Sequence, residues 1–428
     1  MMKFPKHIGK TLTRMFLLVL CSILIGTALM VGLYAIPTDR AFAHVNASQD
    51  MYGKDMFQYW AGNYTYSRLS NSTDSLILMH AIYRPYDSAV DNALLNPSPS
   101  TASSEAENLV NYLNGKEGGY WDYTRYWHGY LLYMIPGLQI FTVAGMKIVM
   151  MYVQFFLSML VIYLLGKRNK TYMLLYGIVT LFINPVTTVM TFQNADIYCI
   201  MMIFMILLLK YNDWLNKKDR YLLFFALNGI LVAFIDYLTY PLVAYGIPLI
   251  TVLLINGYSF KESLKRMILN SIAWCWGYAG MWMGKWIMAD LLTGTSSIKE
   301  GFQAVLFRTV SGVSVPDKSD TYFFTLKQIF SHILDWPMIA LAGIALLVLI
   351  FSVYRKKRII TSAKDYLHAA AAIALVGIVP FAWYFVVRNH TIVHPHLEYR
   401  QLAVSIWAVL VILAMPYAPG SDKNTRPS

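Results

Sequence analysis

Apolar runs separated by short basic clusters fill most of this chain, and their length predicts helices that cross a membrane. The first runs from Met15 to Ile36; others lie near residues 144–165, 171–191, 195–210, 220–235, 237–256, 267–290, 336–354, 366–387 and 397–418. Roughly twenty apolar residues in a helix cover the hydrocarbon core of a bilayer, where only helices and closed barrels satisfy their own backbone polar groups. The expected fold is all-α, a polytopic transmembrane helical bundle of about ten spans. Residues 129–143 break the series. The apolar stretch from Gly129 to Gly166 is too long for a single span and is interrupted by Pro136 and Gly137, so we expect a re-entrant or interfacial helix to about Thr142 before the next span.

One long stretch has the opposite pattern. Residues 37–128 are rich in Asn, Ser, Tyr and Asp, and read as a long first extracytoplasmic loop. A turn segment, Asn96-Pro97-Ser98-Pro99-Ser100, is expected to link two short helices there. The apolar pattern from Ser75 to Tyr83 is too short to span and predicts a helix lying along the membrane. The chain thus divides into a cytoplasmic N-terminus with the first span (1–36), the outer loop (37–128), a multi-span domain (129–418) and a cytoplasmic tail (419–428).

Composition agrees: the 428 residues are 57% hydrophobic and 14% charged, more apolar surface than a soluble chain of this length would bury. The net charge of +12 does not point to nucleic acid, because Lys and Arg cluster between apolar runs. Lys167, Arg168 and Lys170, then Lys210, Lys217, Lys218 and Arg220, then Lys261, Lys265 and Arg266, then Arg355 to Arg358, all fall on one side of the expected topology. The positive-inside rule makes that side cytoplasmic, with both termini on it, in a bacterial plasma membrane. Lys3, Lys6, Lys10 and Arg14 precede the first run, and Ala41-Phe42-Ala43 has the look of a signal-peptidase site. The run is about twice a usual signal core, which favours an uncleaved span. Cys21, Cys199 and Cys275 have no metal or disulfide spacing. No internal repeat is visible, which weighs against a transporter of inverted halves.

Candidate chemistry collects on the outer side. The segment WDYTRYWHGY, Trp121 to Tyr130, places Asp122, Arg125 and His128 among aromatic rings of the kind that gather where membrane meets water. Asp55, Asp74, Gln193, Asn194, Asp196, Asp236, Lys285, Asp290, Arg308, Arg388, Asn389, His390, His394, His396, Glu398 and Arg400 fall at the same face. Ionisable groups at membrane depth are costly and suggest an outward cavity. Each has a plainer reading. Asp122 and Arg125 could pair with each other on a helix, and His128 could simply belong to the aromatic belt. His390, His394, His396 and Glu398 look like ligands for a divalent metal, but Pro395 breaks their register and no clear ligand set emerges. Arg400 and Lys285 could snorkel to the surface or meet a buried anion, and Asp236 could satisfy backbone freed by Pro241.

The layout resembles the GT-C class, membrane glycosyltransferases that use sugars linked to polyprenyl phosphate. STDSLILM, YTRYWHGY, FIDYLTYPL, GYAGMWMGKW and RNHTIVHPHLEYR also look like segments from a group of Gram-positive membrane proteins of that type. The class usually places an acidic pair soon after the first span; this chain has isolated Asp39, Asp50, Asp55 and Asp74. The resemblance implies a polyprenyl-phosphate sugar donor held in membrane lipid, and a glycan or protein acceptor. It also implies one carboxylate as base and cationic side chains for the departing phosphate. On that footing Asp74 is the first candidate base and Asp122 the second, with Arg125, His128, Lys285, Arg388, His394, His396 and Arg400 as substrate-binding candidates. Two alternatives stay open: a transporter or flippase for a lipid-linked or anionic solute, and a polysaccharide polymerase or ligase working through Arg and His.

Overall fold

A computed structural model describes residues 8–52, 55–309, 322–354, 356 and 362–418, and these are nearly all α-helical. Among them, six helices are long and apolar enough to cross a membrane: Gly9–Tyr34, Val143–Arg168, Phe192–Leu215, Trp336–Val353, Tyr366–Val386 and Pro395–Ala414. The remaining expected spans take other forms. Lys170–Ile183, Arg220–Ile235 and Leu242–Asn256 are apolar but shorter, and Phe260–Thr293 is long but opens on Lys261, Glu262, Lys265 and Arg266. The run at 171–191 is broken because Asn184 turns left-handed (φ 69°) and its side chain caps a separate short helix, Pro185–Met190.

Burial sorts the helices into an inner and an outer set. Most of Phe192–Leu215 and Leu242–Asn256 is buried. Val143–Arg168 and Trp336–Val353 instead turn large apolar side chains outward, among them Phe156 and Phe351 at 67% and 77% exposed. An apolar exterior of that kind suggests a membrane protein. All four basic segments make contacts with one another at one end of the bundle. Arg168 Nη2 donates to the Leu209 carbonyl (2.8 Å), Lys356 Nζ to Thr171 Oγ1 (2.5 Å), and Arg266 lies 3.7 Å from Asp219. Lys3, Lys6, Arg355, Lys357, Arg358 and the tail 419–428 lie outside the described residues.

The outer loop is more built than its sequence suggests. Asn71–Ile82 is a helix, but nearly every side chain from Asp74 to Ile82 is buried, so it is packed inside the protein rather than lying along a surface. An all-round apolar helix needs cover on every side. Pro97–Ser100 does connect two short helices, Ala89–Leu95 and Glu105–Leu113, yet it is an extended strand, not a turn. It pairs antiparallel with Gly119–Asp122, Pro97 opposite Asp122. Proline's fixed φ suits an extended chain, and a two-stranded ribbon has free edges where its missing N–H costs nothing. A second ribbon joins Phe57–Tyr59 to Arg68–Ser70. Beyond the loop, Leu131–Leu138 is a short helix containing Pro136, and Thr142 caps Val143–Arg168 through its hydroxyl, as the interruption at Pro136 and Gly137 implied.

Candidate active site

Two adjoining cavities lie under the aromatic segment. The first, of about 180 Å³, is walled mainly by rings and aliphatic groups, including Tyr126, Tyr278, Trp282, Trp286 and Trp383, with the guanidinium-bearing Arg125 and Arg308 in its lining. The second, of about 390 Å³, is polar and carries Asp122, Arg125, Glu300 and Gln303 beside Trp121 and Tyr123. Arg125 and Ala304 line both. Helix Ser297–Thr309 is therefore the partition: Gly301, Val305 and Arg308 face the apolar chamber, and Glu300, Gln303 and Phe307 the polar vestibule.

Local sequence explains why this wall is firm. Trp127 Nε1 donates to the Met281 carbonyl (2.6 Å) and Trp286 Nε1 to the Arg125 carbonyl (3.1 Å), fastening the aromatic segment to Phe260–Thr293 at two points. His128 sits at φ +56°, and the chain then runs so close to Phe234 that a Cβ at Gly129 would lie 2.5 Å from the Phe234 carbonyl oxygen. At Gly301 a Cβ would lie 2.4 Å from the Trp286 ring, so only glycine lets Ser297–Thr309 close down on that indole. Asp122 ends the Gly119–Asp122 strand; both its oxygens accept from the Tyr86 hydroxyl at 3.0 Å. Partial burial raises the Asp122 carboxyl above its usual range, and the Tyr86 hydrogen bond pulls it back down. Glu300 Oε2 accepts from Thr124 Oγ1 (3.2 Å). Among the described residues, neither Arg125 nor Arg308 enters an ion pair.

The structure brings Asp122 and Arg125 together at this site, though not as a helical pair: one is on a strand, the other in the following turn. The other candidates lie elsewhere. Asp74 lines neither cavity; it is 2% exposed, with Lys147 Nζ 3.4 Å from Oδ2 and the Phe192 N–H donating to Oδ1 at 3.0 Å. Burial raises its carboxyl, with Lys147 opposing. Lys285 is fully buried and caps the end of Ala89–Leu95, donating to the Ala93 carbonyl (3.1 Å) and Asn96 Oδ1 (3.0 Å). It does not snorkel, and among the described residues it forms no ion pair. Arg400 is likewise satisfied by carbonyls, of Ile183 (2.9 Å) and His396 (2.6 Å), and stacks 4.7 Å over Tyr399.

His128 is a buried network member rather than a surface ring. Its Nε2 faces the Tyr123 carbonyl (3.0 Å) and its Nδ1 the Tyr130 hydroxyl (2.9 Å). That hydroxyl also meets His80 Nδ1 (2.9 Å) and the Tyr237 hydroxyl, and His80 Nε2 meets Ser98 Oγ (3.1 Å). Asp236 is held by Thr239 through both its N–H (2.9 Å) and its hydroxyl. His390 Nε2 lies 2.7 Å from the Leu238 carbonyl and 3.4 Å from Glu398, whose carboxylate also takes the Trp383 indole N–H (3.2 Å). His394 lies between His390 and His396, with ring centroids 4.8 and 5.9 Å away. Burial, with the charges of Arg308 and Arg68, lowers His394 to about 3. Arg388 lies 5.6 Å over the Phe385 ring. Among the described residues no group of three or more His, Cys, Asp or Glu side chains is arranged to hold a metal.

Glu300, Gln303, Tyr86 and Trp383 were not singled out from sequence. Ser297–Thr309 is amphipathic and follows the long helix Phe260–Thr293 at once, which was the available signal. No protein-family model, curated protein or solved structure matches this chain.

Proposed function

We propose that this protein is a polytopic membrane glycosyltransferase of the GT-C kind. It would cross the bacterial plasma membrane about ten times with both termini cytoplasmic, and move a sugar from a polyprenyl-phosphate donor to an extracytoplasmic acceptor. One observation carries the reading: an apolar chamber containing Arg308 adjoins a polar vestibule containing Asp122, and Arg125 belongs to both. A lipid-linked sugar phosphate needs those environments in that order. The chamber takes the first units of the isoprenoid, the guanidinium groups take the phosphate, and the sugar reaches toward the carboxylates. The contacts between basic segments at one end of the bundle support the topology.

In this mechanism Asp122 is the base. An acceptor hydroxyl gives its proton to the Asp122 carboxylate as its oxygen bonds to the anomeric carbon. The bond from that carbon to the phosphate oxygen breaks, and the electron pair leaves with the lipid phosphate. Arg125 and Arg308 offset the charge that develops there. Asp74 is not assigned this role, because its oxygens are occupied by Lys147 and a helix N-terminus.

The test uses full-length protein in lipid nanodiscs with radiolabelled polyprenyl-phosphate sugars, scored by release of sugar from lipid. Asp122→Asn should lose on the order of 10²–10⁴ in turnover while still binding donor, and Arg308→Ala should weaken donor binding. Full turnover in Asp122→Asn would remove the carboxylate mechanism in favour of ligation through Arg. Donor binding without turnover in the wild type would favour transport.

A further inference from the structure

We infer that the polar vestibule is a saccharide-binding subsite, so that the acceptor is a neutral glycan rather than a protein segment. This rests on the transferase reading only for what is done with the glycan; the binding itself follows from the lining.

Trp121 and Tyr123 both line the vestibule, with ring centroids 5.0 Å apart and planes inclined by 51°; the Arg125 guanidinium lies 4.7 Å over the Tyr123 ring, which leaves Trp121 as the stacking platform. A pyranose has weakly polarised C–H faces and a rim of hydroxyls. The C–H faces suit the negative face of an aromatic ring. The rim hydroxyls each donate and accept, and the vestibule answers them with Asp122, Glu300 and Gln303. A carboxylate has about four lone-pair positions. Asp122 spends its contact on Tyr86 and Glu300 on Thr124, which leaves both able to accept from a ligand. Gln303 adds an amide that works in either direction.

Charge and shape narrow the class further. Two carboxylates against the single guanidinium of Arg125 repel an anionic ligand from the outer rim and favour a neutral polyol. The volume, about 390 Å³, falls in the range of sites that enclose small molecules. Extended peptides are usually held by a ladder of main-chain hydrogen bonds from the host. The polar groups named here all belong to side chains.

The experiment is saturation-transfer NMR on the full chain in nanodiscs, with maltotriose, chitotriose and mannotriose as saccharide probes and a neutral Ser/Thr-rich hexapeptide beside them. At least one trisaccharide should receive saturation at its ring protons. Its affinity should fall about fivefold or more in Trp121→Ala, as when a stacking platform is lost, recover in Trp121→Tyr, and fall in Gln303→Ala. Absence of transfer to every trisaccharide, transfer unchanged in both alanine variants, or transfer to the hexapeptide that depends on Trp121 would each overturn the inference. The donor assay separates the two ideas. Trp121-dependent saccharide binding in a protein that consumes no donor leaves the subsite standing and removes the transferase. Donor turnover in a protein that binds no saccharide does the reverse.

Discussion

The Tyr86 hydroxyl sits 3.0 Å from each oxygen of Asp122, bridging a carboxylate that its surroundings otherwise make harder to ionise. The base must be ionised to accept a proton, so activity should rise with pH through the Asp122 titration. Removing the hydroxyl takes away the interaction that favours the charged form. Tyr86→Phe should therefore shift the acid limb of the pH–rate profile to higher pH and largely preserve the plateau. A lowered plateau with an unmoved limb would mean that Tyr86 only shapes the strand.

Asp74 should behave as a structural residue. Its carboxylate joins Lys147 on Val143–Arg168 to the start of Phe192–Leu215, and so ties three elements together. Breaking a buried pair costs about 3–5 kcal/mol, and the partial exposure of Lys147 puts this case at about the lower figure. Asp74→Asn and Lys147→Met should each lower the thermal midpoint, and the double variant should cost less than their sum. Turnover per folded molecule should change little in Asp74→Asn. Loss of turnover at full stability would return Asp74 to the reaction.

Much of this architecture was legible because apolar length has few meanings. The helices Val143–Arg168 and Trp336–Val353 lie within a few residues of the runs that predicted them, and Ile8–Tyr34 covers most of the first run but starts before its basic residues Lys10 and Arg14. Pattern could not separate a span from a buried helix where the run was short, so Asn71–Ile82 was expected at a surface, and Asn184 ended a run expected to continue. The candidate site was half legible. Asp122 and Arg125 stood out because charge among aromatics is unusual. Glu300 and Gln303 lie in an ordinary amphipathic helix, and what gives them meaning is the docking of Gly301 on Trp286. Lys285 and Arg400 were conspicuous for the same reason as Arg125, yet their partners are helix-end carbonyls, which leave no mark in a sequence.

Helix Arg220–Ile235 crosses Phe260–Thr293 at backbone contact. A Cβ at Gly229 would lie 2.2 Å from the Trp274 carbonyl oxygen, and one at Gly277 would lie 2.0 Å from that of Ala226. Small residues at such crossings let helices associate through close packing where lipid supplies no hydrophobic drive. Because the obstacle is backbone, no side chain can move aside. Gly229→Ala and Gly277→Ala should each destabilise by about 3 kcal/mol, the upper end for overpacking. Gly177 has nothing within 4 Å of the same position, so Gly177→Ala is the control and should be neutral or slightly stabilising. Thermal melts in detergent would compare the three.

The hydrogen bonds around Tyr130 fix where each proton lies. The Tyr123 carbonyl can only accept, so His128 carries its proton on Nε2, and its Nδ1 must accept from Tyr130. The Tyr130 oxygen then accepts from His80 Nδ1–H and from Tyr237, leaving His80 Nε2 to accept from Ser98. Both rings are neutral in this pattern, and burial agrees, lowering His80 to about 3 and His128 well below its ordinary value. An unfolded chain protonates both near 6.5. Below that pH the unfolded state binds more protons than the folded one, so stability falls as pH drops from about 6.5 toward 3, by up to roughly 1.4 kcal/mol per pH unit for each ring. Unfolding midpoints measured between pH 7.5 and 4.5 should show that slope. His80→Gln, which keeps hydrogen-bonding atoms but cannot charge, should reduce it by that ring's own share, up to roughly 1.4 kcal/mol per pH unit. An unchanged slope in His80→Gln would mean that the acid sensitivity arises elsewhere in the fold.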